Sequence, residues 1–116
     1  MATMSDIDAQ RDAALAILDD KILQARKQRN AGVPAAQEAQ LDQAINDLSE
    51  QRQAVFDQAF ERALDSDEMD KALAALRVAT SEMNRVAAEM MTATTIINNL
   101  AALGSAVEKV TTALKG

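Results

Sequence analysis

Residues 67–103 read DEMDKALAALRVATSEMNRVAAEMMTATTIINNLAAL, a stretch without a single glycine or proline. Apolar side chains and two threonines recur in it at alternating spacings of four and three residues, at Met69, Leu73, Leu76, Thr80, Met83, Ala87, Met90, Thr94 and Ile97. This spacing is typical of helices that pack as in a coiled coil. The pattern therefore predicts one long helix over 67–103, and an all-α fold.

Little in the rest of the chain would interrupt a helix. Pro34 is the only proline, and Gly32, Gly104 and Gly116 are the only glycines. Between them the chain is rich in residues of high helix propensity. We predict a single helical domain over 1–116 with helices at about 5–30, 34–65, 67–103 and 105–115. Because the predicted linkers are short, the helices should form an elongated antiparallel three-helix bundle with coiled-coil-like packing and a short C-terminal fourth helix.

The break before that last helix is predicted from the residues around Gly104. Beyond Ile97 the apolar pattern shifts by one residue. Gly104 is then followed by Ser105 and Glu108, which have the spacing of a capping box. A helix that continues through Gly104 is the alternative.

The composition restricts the chemistry that this chain can perform. Its 116 residues include no cysteine, histidine, tryptophan or tyrosine. Disulfides, thiol or imidazole catalysis and zinc fingers are thereby excluded. No other side chains have the spacing of a catalytic or metal-binding motif. We therefore predict that the protein is not an enzyme and that it uses no cofactor, metal ion or small-molecule substrate.

The chain is acidic, with a formal net charge of −6 at pH 7. Residues 34–66 alone sum to −5. Such a charge repels nucleic-acid phosphates and anionic lipid, so we expect no nucleic-acid partner and no membrane partner. The first residues are acidic where a secretory signal peptide would be basic. A cytoplasmic location is expected, with secretion independent of a signal peptide as the alternative.

Residues 90–107 contain no charged side chain, although 26% of the chain is charged. Threonines, asparagines and a serine within this segment argue against a membrane-spanning helix. The simplest interpretation is a helix buried inside the bundle; the alternatives are an interface with a partner or a second copy, and reversible membrane insertion. The candidate interaction residues are Met90, Met91, Ile96, Ile97, Leu100 and Leu103, joined by Phe56 and Phe60.

Two further pairs, the phenylalanines and two asparagines, also have a simpler structural interpretation. Phe56 and Phe60 are the only aromatic residues, and we expect both in the core, although exposed phenylalanines would make a binding hot spot. Asn98 and Asn99 lie where the apolar pattern shifts. They are either a cap or kink, or buried amides that fix the register of a helical assembly.

These observations favour a non-enzymatic protein–protein interaction module. We expect an adaptor, chaperone or structural subunit, of the kind common among bacterial secretion accessories and phage proteins. It would act through helix–helix packing of its uncharged C-terminal segment, with another protein or a second copy as partner. The alternatives are an acidic inhibitor, such as an immunity protein or antitoxin that masks a basic enzyme, and a membrane-active helical protein.

Overall fold

The computed structural model describes residues 2–58 and 66–115, without the side chains of Ser66 and Lys115. In these ranges the chain forms four helices and no strand: α1 (Met4–Asn30), α2 (Ala35–Asp57), α3 (Ser66–Ala88) and α4 (Ala93–Lys115). The all-α prediction is thus confirmed. The prediction of one helix over 34–65 is wrong, because α2 ends at Asp57 and Gln58 has an extended backbone whose amide donates to the Val55 carbonyl; residues 59–65 lie outside the described ranges.

Local sequence signals explain where the first two helices begin and end. The hydroxyl of Thr3 accepts from the Asp6 amide, and the Asp6 carboxylate accepts from the Thr3 amide, so a capping box starts α1. After α1, Gly32 adopts a φ of +87°, a conformation that residues with a Cβ rarely reach. Pro34 then caps α2 with its fixed φ of −56°.

The four helices form two antiparallel hairpins that pack side by side. We call α1 with α2 the first hairpin, and α3 with α4 the second. Between the hairpins, α1 packs along α3 and α2 packs along α4, while α1 and α4 meet across the centre. The Ala2 amide donates to the Asp70 carboxylate at 2.7 Å, which shows that α1 and α3 begin at the same end. The resulting molecule is elongated, with extents of 52 × 22 × 18 Å.

The prediction of one helix over 67–103 is wrong, because the chain turns between Ala88 and Ala93. The Thr92 amide donates to the Thr95 hydroxyl at 2.9 Å, and the Thr95 amide donates to the Thr92 hydroxyl at 3.3 Å. These reciprocal bonds resemble a capping box, with threonine in the place of the usual glutamate. The second helix of this hairpin, α4, therefore begins at Ala93 and runs antiparallel to α3.

The predicted break at Gly104 is also wrong, because α4 passes through this residue without interruption. The fourth helix has 23 residues, so the bundle has four helices of similar length rather than three and a short one. Gly104 faces α2, where a Cβ built on it would lie 3.0 Å from Nε2 of Gln51. The missing side chain thus makes room for Gln51 and does not end a helix.

All four helices contribute to one apolar core. Its largest fully buried side chains are Ile7, Leu18, Leu41, Leu48, Val55, Leu76, Met83, Met90, Ile96, Leu103, Val110 and Leu114. The seam predicted from the sequence is buried from Leu73 to Met90. Beyond the turn it fails: Thr94 is exposed and Ile97 is half-buried, while Ile96 takes the core position.

The two internal glycines should respond oppositely to substitution by alanine. We expect Gly32→Ala to lower the free energy of unfolding by about 1–2 kcal/mol, because alanine is strained at this φ. Gly104→Ala should raise it by up to about 1 kcal/mol, because alanine favours the helix and the flexible end of Gln51 can move aside. Urea unfolding followed by circular dichroism measures both. Equal destabilisation by the two substitutions would contradict a continuous α4.

The cap at Thr92 should also be measurable. Thr92→Ala removes the hydroxyl that accepts from the Thr95 amide, and should cost about 1 kcal/mol of stability. Thr112→Ala, on the exposed side of the same helix, is the matched control and should change the free energy of unfolding little. If the two variants unfold at the same urea concentration, the cap does not define the start of α4.

Candidate functional site

The outer sides of α3 and α4 form a shallow groove lined mainly by small, uncharged side chains. Its volume is about 670 Å³. We call it the outer groove and define it by its lining residues, which are Ala74, Ala75, Val78 and Ala79 of α3 and Ser105, Glu108, Lys109, Thr112 and Ala113 of α4. Val78 is 68% exposed, more than any other large apolar side chain in the described ranges. The groove is therefore a surface of mainly small and apolar side chains, with Glu108 and Lys109 in its wall, that the described part of the chain leaves open.

The exposed side of α4 extends this surface without adding charge. From its first turn as far as Ser105, the exposed residues of α4 are Thr94, Asn98, Ala101, Ala102 and Ser105. The first charged side chain of α4 is Glu108. A partner that lies along this side would not have to remove a charge from water until it reaches the groove itself.

An ion pair joins α3 and α4 at the groove, because Lys109 is one of its lining residues. Lys109 Nζ donates to Oε2 of Glu82 at 2.8 Å. This hydrogen bond, with the charges of Lys109 and Arg85, holds the pKa of the Glu82 carboxyl below its ordinary value of 4.5. This ion pair adds to the apolar packing that holds α3 against α4, as long as Glu82 is ionised.

Most of the predicted interaction residues lie inside the bundle. Met90, Ile96 and Leu103 are fully buried, and Ile97 and Leu100 are half-buried. The reason is that α4 has α2, α3 and α1 as neighbours, which cover its apolar side. In the folded chain these residues belong to the core or pack against it, and of the candidates in segment 90–107 only Met91, in the turn before α4, is strongly exposed, at 57%.

Phe56 is not the core anchor that the sequence predicts. It is 56% exposed, because the neighbouring Val55 takes the core position in this turn of α2. Its ring centroid lies 5.7 Å from the Arg52 guanidinium carbon, and Arg52 also pairs with Asp19 of α1. Phe60 lies outside the described residues, so its expected place in the core stays a prediction.

The two asparagines do not interrupt α4. Asn98 is exposed, and the half-buried Asn99 donates from Nδ2 to the Thr95 carbonyl at 2.8 Å within the same helix. Neither forms a hydrogen bond to another helix in the part of the chain that the structure describes. Their position therefore supports neither a cap nor a contact that sets the register.

A clamp that the sequence does not reveal holds the turn between α3 and α4. Lys21 of α1 is only 5% exposed, and its Nζ donates to the Met90 carbonyl at 3.5 Å. One turn further along α1, Nε2 of Gln24 donates to the Met91 carbonyl at 3.0 Å. In the sequence Lys21 belongs to a group of basic residues near a helix end, and no pattern distinguishes it from them.

The ion pair beside the groove predicts a pH dependence. Because the folded-state pKa of Glu82 is lowered, its ion pair stabilises the fold above the ordinary pKa of 4.5, and this stability is lost as the pH falls through the lowered value. Glu82→Gln should therefore unfold at lower urea than the parent at pH 7, and the difference should vanish in acid. Glu50→Gln, on the exposed side of α2, is the control. A difference that persists at pH 2 would contradict the ion pair.

In the ranges 2–58 and 66–115, no group of three or more acidic side chains could hold a metal ion. No helix within these ranges has the length and apolar character needed to cross a membrane. Comparison with known protein families, curated proteins and solved structures finds nothing that matches this chain.

Proposed function

We propose that this protein is a non-enzymatic interaction module that binds a helix of another protein along the outer groove. The observation that carries the proposal is the strong exposure of Val78 in a groove built otherwise mainly of alanine, serine and threonine. Single exposed apolar residues are normal on protein surfaces, but a continuous apolar strip is more often a binding site.

The small side chains of the groove determine what fits it. Packed helices lie 8–10 Å apart, and the smallest spacings require small residues at the contact. Ala74, Ala75 and Ala113 would let a partner helix approach closely, with its larger apolar residues seated on both sides of Val78. Burial of apolar surface contributes about 25 cal/mol per Å², so such a helix should be amphipathic and should present apolar residues three and four apart.

The uncharged segment 90–107 contributes to this surface with its exposed residues only. Its large apolar side chains stabilise the bundle, whereas Ser105 lines the groove and the exposed Ala102 lies one turn before it in α4. An adaptor, chaperone or structural subunit would use the bundle as a rigid support for this strip. The partner is then another protein that supplies one helix.

The acidic-inhibitor alternative has weaker support. Glu38 and Asp42 of α2 both pair with Arg29 of α1, and Asp19 of α1 pairs with Arg52 of α2. These pairs neutralise part of the charge that a basic enzyme would recognise. If the acidic surface were the binding site, association would weaken steeply with salt and with charge reversal at Asp47, Glu50 or Asp57.

A photo-cross-linking residue in place of Val78 tests the proposed function. In the cells that make the protein, we expect cross-linking to a partner from Val78 and none from the control position Gln43, which is exposed on α2. With the purified partner, Val78→Asp should weaken binding at least tenfold, whereas Gln43→Asp should not. Circular dichroism checks that both variants fold. Parent-like affinity of the Val78→Asp variant would exclude the outer groove.

A further inference from the structure

Two exposed cations lie in line with Val78 on the outer side of α3. Lys71 comes seven residues before Val78, and Arg85 comes seven residues after it. Residues seven apart are nearly aligned on one side of an α-helix, about 10.5 Å from each other along its axis. The two cations therefore border the outer groove on its α3 side, one towards each end.

Both of these cations are available to a partner. In the ranges 2–58 and 66–115, every ion pair involves some other basic residue. Arg85 is near enough to Glu82 to help lower the pKa of that carboxyl, but the hydrogen bond of Glu82 goes to Lys109. Carboxylates of a bound helix would thus meet Lys71 and Arg85 without first breaking an ion pair of this chain.

The acidic residues near the groove do not neutralise its α3 border. Glu82 pairs with Lys109, so these two charges offset each other. Glu108 lines the outer groove, but it also lines a depression between α4 and α2, so it lies at the edge of α4 that is far from α3. Asp67 is in the first turn of α3 and Glu89 follows its last residue, so both lie beyond the two cations. Between these ends the α3 border is basic, although the chain as a whole has a net charge of −6.

The same positions disfavour a second copy of this chain as the occupant of the groove. If two copies packed their Val78 side chains together about a two-fold axis with antiparallel α3 helices, Lys71 of each copy would meet Arg85 of the other. With parallel α3 helices, each cation would meet its own counterpart. Both arrangements place like charges opposite each other, which favours a helix of different sequence.

We propose that the outer groove selects a helix of another protein that carries acidic residues about two turns before and two turns after the point where it passes Val78. This inference rests on the proposed function, because it concerns the same groove. Packed helices that cross at about 20° stay adjacent over the length from Lys71 to Arg85, which is about 21 Å. Because the two cations lie symmetrically about Val78, the same acidic pattern fits a partner helix in either direction.

The net charge of the whole chain does not oppose this selection at close range. Most of the excess acidic charge lies in residues 34–66, and at physiological ionic strength exposed charges are largely screened beyond about 8 Å. Charges at the edge of an interface contribute more to specificity than to affinity. The apolar contact with Val78 therefore holds the partner helix, and the two cations decide which helix fits.

Two synthetic helical peptides test the inference. Both are amphipathic, about 19 residues long and identical in their apolar residues, with a central leucine. One peptide carries glutamate and the other lysine at the positions seven before and seven after this leucine. Fluorescence anisotropy measures their affinities for the full chain at low salt. We expect the acidic peptide to bind the parent about tenfold more tightly than the basic peptide.

Charge reversal of the two cations should reverse this preference. The double variant Lys71→Glu with Arg85→Glu should bind the basic peptide more tightly than the acidic one. Arg26→Glu with Lys27→Glu is the matched control, because it changes the net charge equally at two exposed positions of α1, which does not line the groove. The control should keep the preference of the parent. Circular dichroism checks that each variant folds.

The Val78→Asp variant separates failure of this inference from failure of the proposed function. Equal affinities of the two peptides for the parent, both lost in Val78→Asp, would overturn the inference and leave the groove as a binding site. A preference that Val78→Asp leaves unchanged would overturn both. Binding of neither peptide would overturn the inference, as would a parent dimer in light scattering that Val78→Asp separates, because a second copy would then occupy the groove.

Discussion

The turn between α3 and α4 is the constraint on which the rest of the structure depends. The reciprocal hydrogen bonds between Thr92 and Thr95 start a new helix within residues 67–103, a stretch that contains no glycine or proline. Lys21 and Gln24 then hold the turn from the side of α1. Without the turn, the apolar residues on both sides of it would form one helix of about twice the length, with no neighbour for its second half. With it, Met90 and Ile96 enter the same core.

The sequence predicts the helical character of the chain and the turn between α1 and α2 for definite physical reasons, but not the end of α2 at Asp57. Glycine readily adopts a positive φ and proline has a fixed φ, in any protein, so Gly32 and Pro34 allow the turn between α1 and α2 to be predicted from the sequence. The second turn contains neither residue. Its threonines are ordinary helix residues unless their hydroxyls cap a helix, which depends on the course of the backbone. Met90 is buried in the observed hairpin, and it would also lie in the apolar seam of a single helix over 67–103. The spacing of apolar residues therefore continues across the turn by coincidence, which is why the sequence predicts a single helix.

The outer groove could not be predicted from the pattern of the sequence. In α3 and α4, alanine is equally common at buried and at exposed positions. The sequence therefore gives no indication that Ala74, Ala75 and Ala113 line one surface. The surface arises only when α3 and α4 meet. Larger apolar residues were better guides to the core than to the surface, as Ile96 and Leu103 show. Val78 is the large apolar residue of the groove. Because it lies outside the apolar seam, the sequence could have indicated that its side chain is exposed.

The parallel packing of α1 on α3 has an electrostatic consequence. Each α-helix carries a partial positive charge at its amino end, and two parallel neighbours bring these ends together. The first turns of both helices contain acidic residues, with Asp6 in α1 and Asp67 and Glu68 in α3. Asp6 is kept ionised by its hydrogen bonds to Thr3, which lower its pKa. The acidic first turns of α1 and α3 thus offset the positive amino ends that this parallel packing brings together.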